Sequence, residues 1–208
     1  MASSTLITNQ KTEFDPETIF IDESVANHPL ALETLRRFPD TPVQQITTYD
    51  EAVEIIQKTS RDVFGTGKRK LALTRFKGSF LKKCPGISPG MVCCNYYVVN
   101  LLENCMYDCS YCFLQDFLQN NPLLVAYVNI EDLLEELDQV FIAHPDRVFR
   151  IGTGELTDSL ALDTVIPYSQ YLIPFFNQQK NAVLELKTKS DRVENLLNQN
   201  SSRNVIVS

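Results

Sequence analysis

Three things are missing from this chain of 208 residues. No apolar run reaches the roughly 18 residues that a membrane-spanning helix needs. The N-terminus, MASSTLITNQ, lacks the basic-then-apolar pattern of a secretion signal. These two absences lead us to expect a cytoplasmic protein with no membrane partner. Positive charge is also short: 19 Lys and Arg stand against 26 Asp and Glu, a net charge of −7, which argues against nucleic-acid binding by bulk charge. FGTGKRK (Phe64 to Lys70) carries two glycines and a lysine without the spacing of a phosphate-binding loop, and reads as a turn.

Charge is uneven along the chain. From Arg61 to Lys83 there are eight basic residues (Arg61, Lys68, Arg69, Lys70, Arg75, Lys77, Lys82, Lys83) and one acid, Asp62, a local +7 that leaves −14 for the remainder. Such a stripe suits either a phosphate backbone or a solvated lysine-rich surface.

Cysteine is plentiful, at six. In a cytosolic chain, clustered cysteines point to metal or redox chemistry rather than disulfides. Asn104 to Asp116 reads NCMYDCSYCFLQD and places Cys105, Cys109 and Cys112 at C-x3-C-x2-C spacing on a loop entered from an apolar strand. Three thiolates so close together suit three irons of a [4Fe–4S] cube and leave the fourth iron without a protein ligand. A small molecule with an amine and a carboxylate, such as S-adenosylmethionine (SAM), can occupy an iron of that kind. A zinc knot or buried thiols are the plainer alternatives. Cys84, Cys93 and Cys94 flank two Pro-Gly turns, where packing, a second metal site and redox chemistry all remain open.

Residues 1–90 read as a small α/β region. TIFIDES and VQQI are strand candidates, HPLALETLRRF is a helix that stops before Pro39, Tyr49 to Lys58 is a helix after Thr47-Thr48, and KLALTRF is a strand. In residues 91–208 strand and helix alternate. YYVVNL, LLVAYVN, VFRIGTGE, AVLELKTKS and RNVIVS are strands. A short helix within Ser110 to Gln119, then IEDLLEELDQVFIA, PYSQYLIPFFNQQ and DRVENLLNQ, are helices. The rhythm predicts an α/β fold with a parallel sheet, a barrel or part of one, whose chemistry lies at the carboxyl ends of the strands. The cysteine loop, GTGE (Gly152 to Glu155) and KTKS (Lys187 to Ser190) all fall there. The last strand has no following helix, so the chain reads as a fragment or as half of a two-chain assembly.

KKCPG, CCNYYVVNLLENCMYDCSYCFLQ, RIGTGELTDSLALD and LELKTKSD, together spanning about residues 68 to 208, resemble the radical-SAM superfamily. Gln115 and TDSLALD, with HPLALETLRRFPD nearer the start, are most similar to the spore photoproduct lyase family. The resemblance implies an incomplete (β/α) radical-SAM barrel of about four strands. It also implies a [4Fe–4S] cluster on Cys105, Cys109 and Cys112, and SAM on the free iron. One-electron reduction, from a donor such as flavodoxin or ferredoxin, would release a 5′-deoxyadenosyl radical; in the lyase that radical acts on a thymine photoproduct of spore DNA. By position, Thr157 matches a hydroxyl residue on SAM and Lys189 a lysine on its carboxylate, with Lys187 the competing lysine. Glu155 stands where an acid meets the SAM amino group, with Asp158 as a second acid and Gly152 and Gly154 shaping the turn. Tyr111 is the catalytic tyrosine that is kept. The chain departs from the lyase at Glu155, which replaces a hydrogen-donating cysteine, and at Phe113, which replaces a tyrosine. Neither side chain can return a hydrogen atom as a thiol or phenol does; Cys84, Cys93 or Cys94 could supply a thiol if folded inward.

Two other functions compete with this enzyme, besides a radical-SAM enzyme acting on something other than DNA. A non-catalytic iron–sulfur or zinc module would retain metal without cleaving SAM. A nucleic-acid adaptor using the basic stripe would bind DNA in a salt-dependent way without its cysteines.

Overall fold

The computed structural model describes residues 14–86, 89–90, 92, 94–118, 121–197, 199–200 and 203–208. Cys93 lies outside these residues. Among them are ten strands in two five-stranded sheets. The fold is α/β with predominantly parallel strands.

The first sheet starts with β1 (Thr18–Asp22), β2 (Val43–Ile46) and β3 (Lys70–Thr74). Between them lie α1 (Pro29–Arg37), α2 (Tyr49–Thr59) and the short α3 (Val63–Gly67). Both longer helices have clear start signals. The His28 imidazole accepts from Leu30 N ahead of a proline in the first turn, and Thr48 Oγ1 accepts from Glu51 N. FGTGKRK is not a simple turn, because the Asp62 carboxylate accepts from Gly65 N and caps α3.

The second sheet contains β4 (Leu81–Lys83), β5 (Tyr96–Val99), β8 (Phe149–Thr153), β9 (Ala182–Leu186) and β10 (Val205–Val207). Four of them, β5, β8, β9 and β10, run parallel and adjacent in chain order, while β4 is antiparallel on β5. The helices between them are α5 (Ile130–Ala143), α6 (Tyr168–Asn177) and α7 (Glu194–Leu197).

One strand differs from expectation. LLVAYVN is β7 (Leu124–Tyr127), and it does not follow β5 into the second sheet. It lies parallel to β3 in the first sheet, with the two-residue β6 (Leu102–Glu103) antiparallel on its other side. YYVVNL contains β5, which ends at Val99; the chain then leaves the second sheet at Asn100 and enters the first at Leu102. Both stretches are buried on two faces and read as continuous apolar runs, so residue pattern alone does not distinguish the sheets. The antiparallel β4 went unrecognised because three residues, two of them exposed lysines, leave almost no alternation.

The main core lies between the sheets. Ile19, Ile21, Leu71, Leu73 and Leu124 of the first sheet, together with Val99, Phe149, Ile151 and Leu184 of the second, join side chains from α1, α5 and α6. Phe20, Ala72 and Val125 point to the opposite face of the first sheet, against Ala52 and Ile56 of α2. Complete burial of such a side chain contributes about 1.5–3 kcal/mol. Tyr168 pins the layers together: its buried hydroxyl donates to Tyr127 O at 2.8 Å and Leu101 O at 3.2 Å.

Candidate active site

The cysteine loop leaves β6 through Asn104. This residue takes the left-handed conformation, φ +65°, which Asn tolerates better than most non-glycine residues. Its buried side chain accepts from Cys105 N at 2.8 Å and donates to Asn121 O at 3.0 Å and Pro122 O at 2.9 Å. Both ends of the loop are thereby tied to one amide group. Cys112 N donates to Cys109 O at 2.9 Å, and Gln115 Nε2 donates to the same carbonyl at 3.1 Å, leading into α4 (Leu114–Phe117). Lys68 reaches the loop from below, donating to Tyr107 O at 2.8 Å and pairing with Asp108.

The facing wall comes from the loops after β8 and β9. Gly154 turns with φ +85°, and a Cβ there would lie 2.8 Å from Thr157 O. The Asp158 carboxylate accepts from Leu160 N and Ala161 N at 2.9 Å, from Thr188 Oγ1 at 2.7 Å and from Lys189 N at 2.5 Å. Ser159 Oγ donates to Thr153 O at 2.8 Å and accepts from Lys187 N at 3.0 Å. Asp158 and Ser159 therefore clamp the β8 loop to the β9 loop.

Between the walls lies an open cleft with about 720 Å³ of empty space. Cys105, Cys109, Cys112 and Tyr111 line it on one side, and Thr157, Asp158, Lys187, Thr188 and Lys189 on the other. Burial pushes the Cys105 thiol above its ordinary range. Hydrogen bonds from the backbone of Tyr107 and Asp158 and the charge of Lys68 pull it back, while the Asp158 charge adds to the rise. Tyr111 is 72% exposed, and its phenol is raised chiefly by a hydrogen bond with Cys109.

Among the described residues no three His, Cys, Asp or Glu side chains share a single-ion site. A cube makes a different demand, one thiolate for each of three irons. Asp158 is the lone carboxylate among the lining residues, and both of its oxygens accept from protein donors. Three thiols without a fourth free protein donor, with the Lys189 ammonium in the facing wall, fit a cube with an open corner and a carboxylate-bearing ligand; the Lys187 ammonium is engaged elsewhere, 3.6 Å from Glu185 and over the Tyr96 ring.

Of the residues singled out from sequence, Cys105, Cys109, Cys112, Tyr111, Thr157, Asp158 and Lys189 meet in this cleft, whereas Gly152, Gly154 and Glu155 do not line it. Gly152 packs against the Tyr96 ring, where a Cβ would lie 1.9 Å from the hydroxyl. Glu155 accepts from Asn100 Nδ2 at 2.9 Å. Lys187 and Lys189 do not share a strand face, because β9 ends at Leu186 and both lysines stand on the loop beyond it. The basic stripe is not a continuous cationic surface. Lys68 is buried, Arg69 pairs with Glu17 at 2.7 Å, and Arg75 pairs with Asp132 at 2.5 Å. Neither Cys84 nor Cys94 lines the cleft. Sequence reasoning missed Lys68 as a site residue, because its neighbours Arg69 and Lys70 made it look like surface charge.

The spore photoproduct lyase family model matches residues 14–206. The chain belongs to the spore photoproduct lyase family. It is 22% identical over 187 residues to the spore photoproduct lyase of Bacillus subtilis (strain 168), covering 88% of this chain and 52% of that protein. The spore photoproduct lyase of Geobacillus sp. (strain Y412MC61) is 21% identical over the same length, with the same coverage. The chain thus spans about half the length of the curated family members it matches. A solved spore photoproduct lyase complexed with dinucleoside spore photoproduct superposes with a TM-score of 0.81 at 19% identity, covering 93% of this chain and 56% of that one. A lyase mutant with bound AdoMet and dinucleoside spore photoproduct superposes at 0.79 and 18%, with the same coverage. At these identities the likeness is one of fold. No helix among the described residues is long and apolar enough to cross a membrane.

Proposed function

We propose that this member of the spore photoproduct lyase family is a radical-SAM enzyme, with a [4Fe–4S] cluster held by Cys105, Cys109 and Cys112 and SAM bound across the cleft. The observation that carries the reading is the convergence of three cysteines, Thr157 and Lys189 from three separate loops on one cleft. When bound, cluster and SAM supply reductive cleavage of a C–S bond and a 5′-deoxyadenosyl radical. The chain's own residues bind and orient. Lys189 offers an ammonium group to a carboxylate, with Lys187 the competing lysine once released from Glu185, and a charge-assisted bond there would fix the direction of the sulfonium. Thr157 adds a hydroxyl. Glu155 is the acid proposed for the amino group, which requires it to turn from Asn100 toward the cleft. Gly154 shapes that turn, Gly152 precedes it within β8 against the Tyr96 ring, and Tyr111 stands at the cysteine rim against Cys109. A flavodoxin or ferredoxin is the proposed electron donor.

The proposed substrate is a thymine photoproduct in DNA; two of the matched lyase structures hold a dinucleoside spore photoproduct. Phe113 is 80% exposed and does not line the cleft, and among the described lining residues the only thiols are those of the cluster trio. This favours a second reading for the last step, in which the hydrogen atom returns from outside this cleft or the substrate is not a thymine dimer.

Anaerobic reconstitution with iron and sulfide, followed by dithionite and SAM, tests the first half. 5′-Deoxyadenosine is the expected product, and a protein that holds the cluster yet produces none sinks the catalytic reading. Irradiated DNA analysed by mass spectrometry tests the second half, where loss of photoproduct supports repair. Intact SAM cleavage without that loss points to another substrate.

A further inference from the structure

Lys68 is the one basic residue of the Arg61–Lys83 stripe in the wall of the cysteine cleft. It follows α3, in the segment that leads into the first sheet. Its side chain is only 6% exposed, whereas that of its partner Asp108 is 77% exposed. The ammonium donates to Tyr107 O at 2.8 Å and lies 5.4 Å from the centre of the Phe64 ring. A surface ion pair would leave both groups hydrated. Here the carboxylate remains in water while the cation is withdrawn from it, so the positive field is screened on the Asp108 side and less so toward the sulfurs. A neutral donor would hold Tyr107 O equally well, so the charge has a consequence beyond the hydrogen bond.

We propose that Lys68 is a positioning residue that anchors the cysteine loop from beneath, and that its charge favours the reduced form of the cluster. The inference rests on the cluster reading given above. A cube with three thiolates and no other charged ligand carries −1 when oxidised and −2 after taking up one electron, and a cation close by favours the second state. The step concerned is transfer of one electron from a low-potential one-electron donor such as reduced flavodoxin. The donor is oxidised, the cluster is reduced, no bond forms or breaks and no proton moves.

The test uses reconstituted protein in a redox titration followed by electron paramagnetic resonance. Lys68→Met is expected to lower the ratio of reduced to oxidised cluster about tenfold at fixed potential, equivalent to about 59 mV for a one-electron couple. Asp108→Asn removes the counter-charge and is expected to shift the ratio the opposite way, while Lys68→Arg stays within about threefold of the unsubstituted protein. In metal-free protein, Lys68→Met is also expected to speed amide exchange across residues 105–112. If the Met variant retains no iron, the Asp108→Asn shift and the behaviour of Lys68→Arg decide the matter. Shifts in the same direction for Lys68→Met and Asp108→Asn, or none in either, overturn the inference while the cluster stands. An unsubstituted chain that assembles no cluster overturns the cluster reading and the inference together.

Discussion

Each sheet opens at the carboxyl ends of its parallel strands into a cleft, and the two clefts differ in the donors that line them. The cleft of the first sheet, about 840 Å³, is bordered by Asp22, Thr48, Tyr49, Arg75, Glu103 and Tyr127. There Glu103 accepts from Tyr127 Oη at 2.7 Å and Asn121 Nδ2 at 2.6 Å, Asp22 accepts from Ser24 N at 2.8 Å, and Thr48 caps α2. In the cysteine cleft Asp158 is engaged in the same way, but no ion pair or hydrogen bond of the Lys189 ammonium is seen among the described residues. A carboxyl-end cleft is common to parallel sheets. Lys77 of the first cleft likewise shows no ion pair or hydrogen bond among the described residues, so what separates the two is the donor set: three thiols line only the cysteine cleft.

The contrast breaks most readily at the cysteines. Alanine at Cys105, Cys109 or Cys112 is expected to abolish retention of iron and sulfide after anaerobic reconstitution, whereas Cys84→Ala and Cys94→Ala leave both at the unsubstituted level, measured by metal and sulfide analysis. A result in which Cys84→Ala also loses iron would extend the cluster site beyond the cleft.

Asp158 comes next. Removing a buried carboxylate that satisfies four donors costs about 3 kcal/mol, so urea unfolding of metal-free Asp158→Ala should show a clearly lowered midpoint. Gly154→Ala introduces a Cβ into backbone at positive φ and is expected to cost about 1–3 kcal/mol. Gly90 has the same φ of +85°, but a Cβ added there would meet nothing within 4 Å, so its change to alanine should cost about 1 kcal/mol or less. The difference between the two isolates the contribution of the clamp around Thr157 and Ser159.

Smaller effects sharpen the contrast. Burial raises the Cys105 thiol, so less of it is thiolate at a given pH. In metal-free protein its alkylation at pH 8 should be several-fold slower than that of the exposed Cys94 and should accelerate as pH rises, as read by mass spectrometry. In the first cleft, Arg75→Ala breaks a half-exposed pair with Asp132 and should change stability by less than about 1 kcal/mol.

Much of this molecule was legible in the residues themselves. α5 was predicted as Ile130–Ala143 and is found there, because Ile130, Leu133, Leu137 and Phe141 place an apolar stripe on one helix face. The cysteine spacing located the loop, and strand–helix alternation placed the loops after β8 and β9 beside it. The interleaving of the sheets was not legible. Leu124, Val125 and Ala126 are apolar whichever sheet they join, so no local pattern encodes that they pair with β3. Glu155 shows a related limit: a residue can occupy the expected place in the chain while its side chain turns aside to Asn100. Lys68 was hidden for the opposite reason, since burial of one lysine among several depends on a loop that lies far away in the chain.

The pairing of β7 with β3 has a consequence for how the protein is made. A ribosome releases Cys105, Cys109 and Cys112 before Leu124–Tyr127 emerges to close the layer beneath them. During that interval the three sulfurs hang from an unfinished scaffold, open to oxidation and to stray metal ions. Late strand insertion thus sets the earliest moment at which a cofactor can be loaded correctly, and delivery of iron and sulfide should be most productive once Tyr127 has left the ribosome and paired with β3.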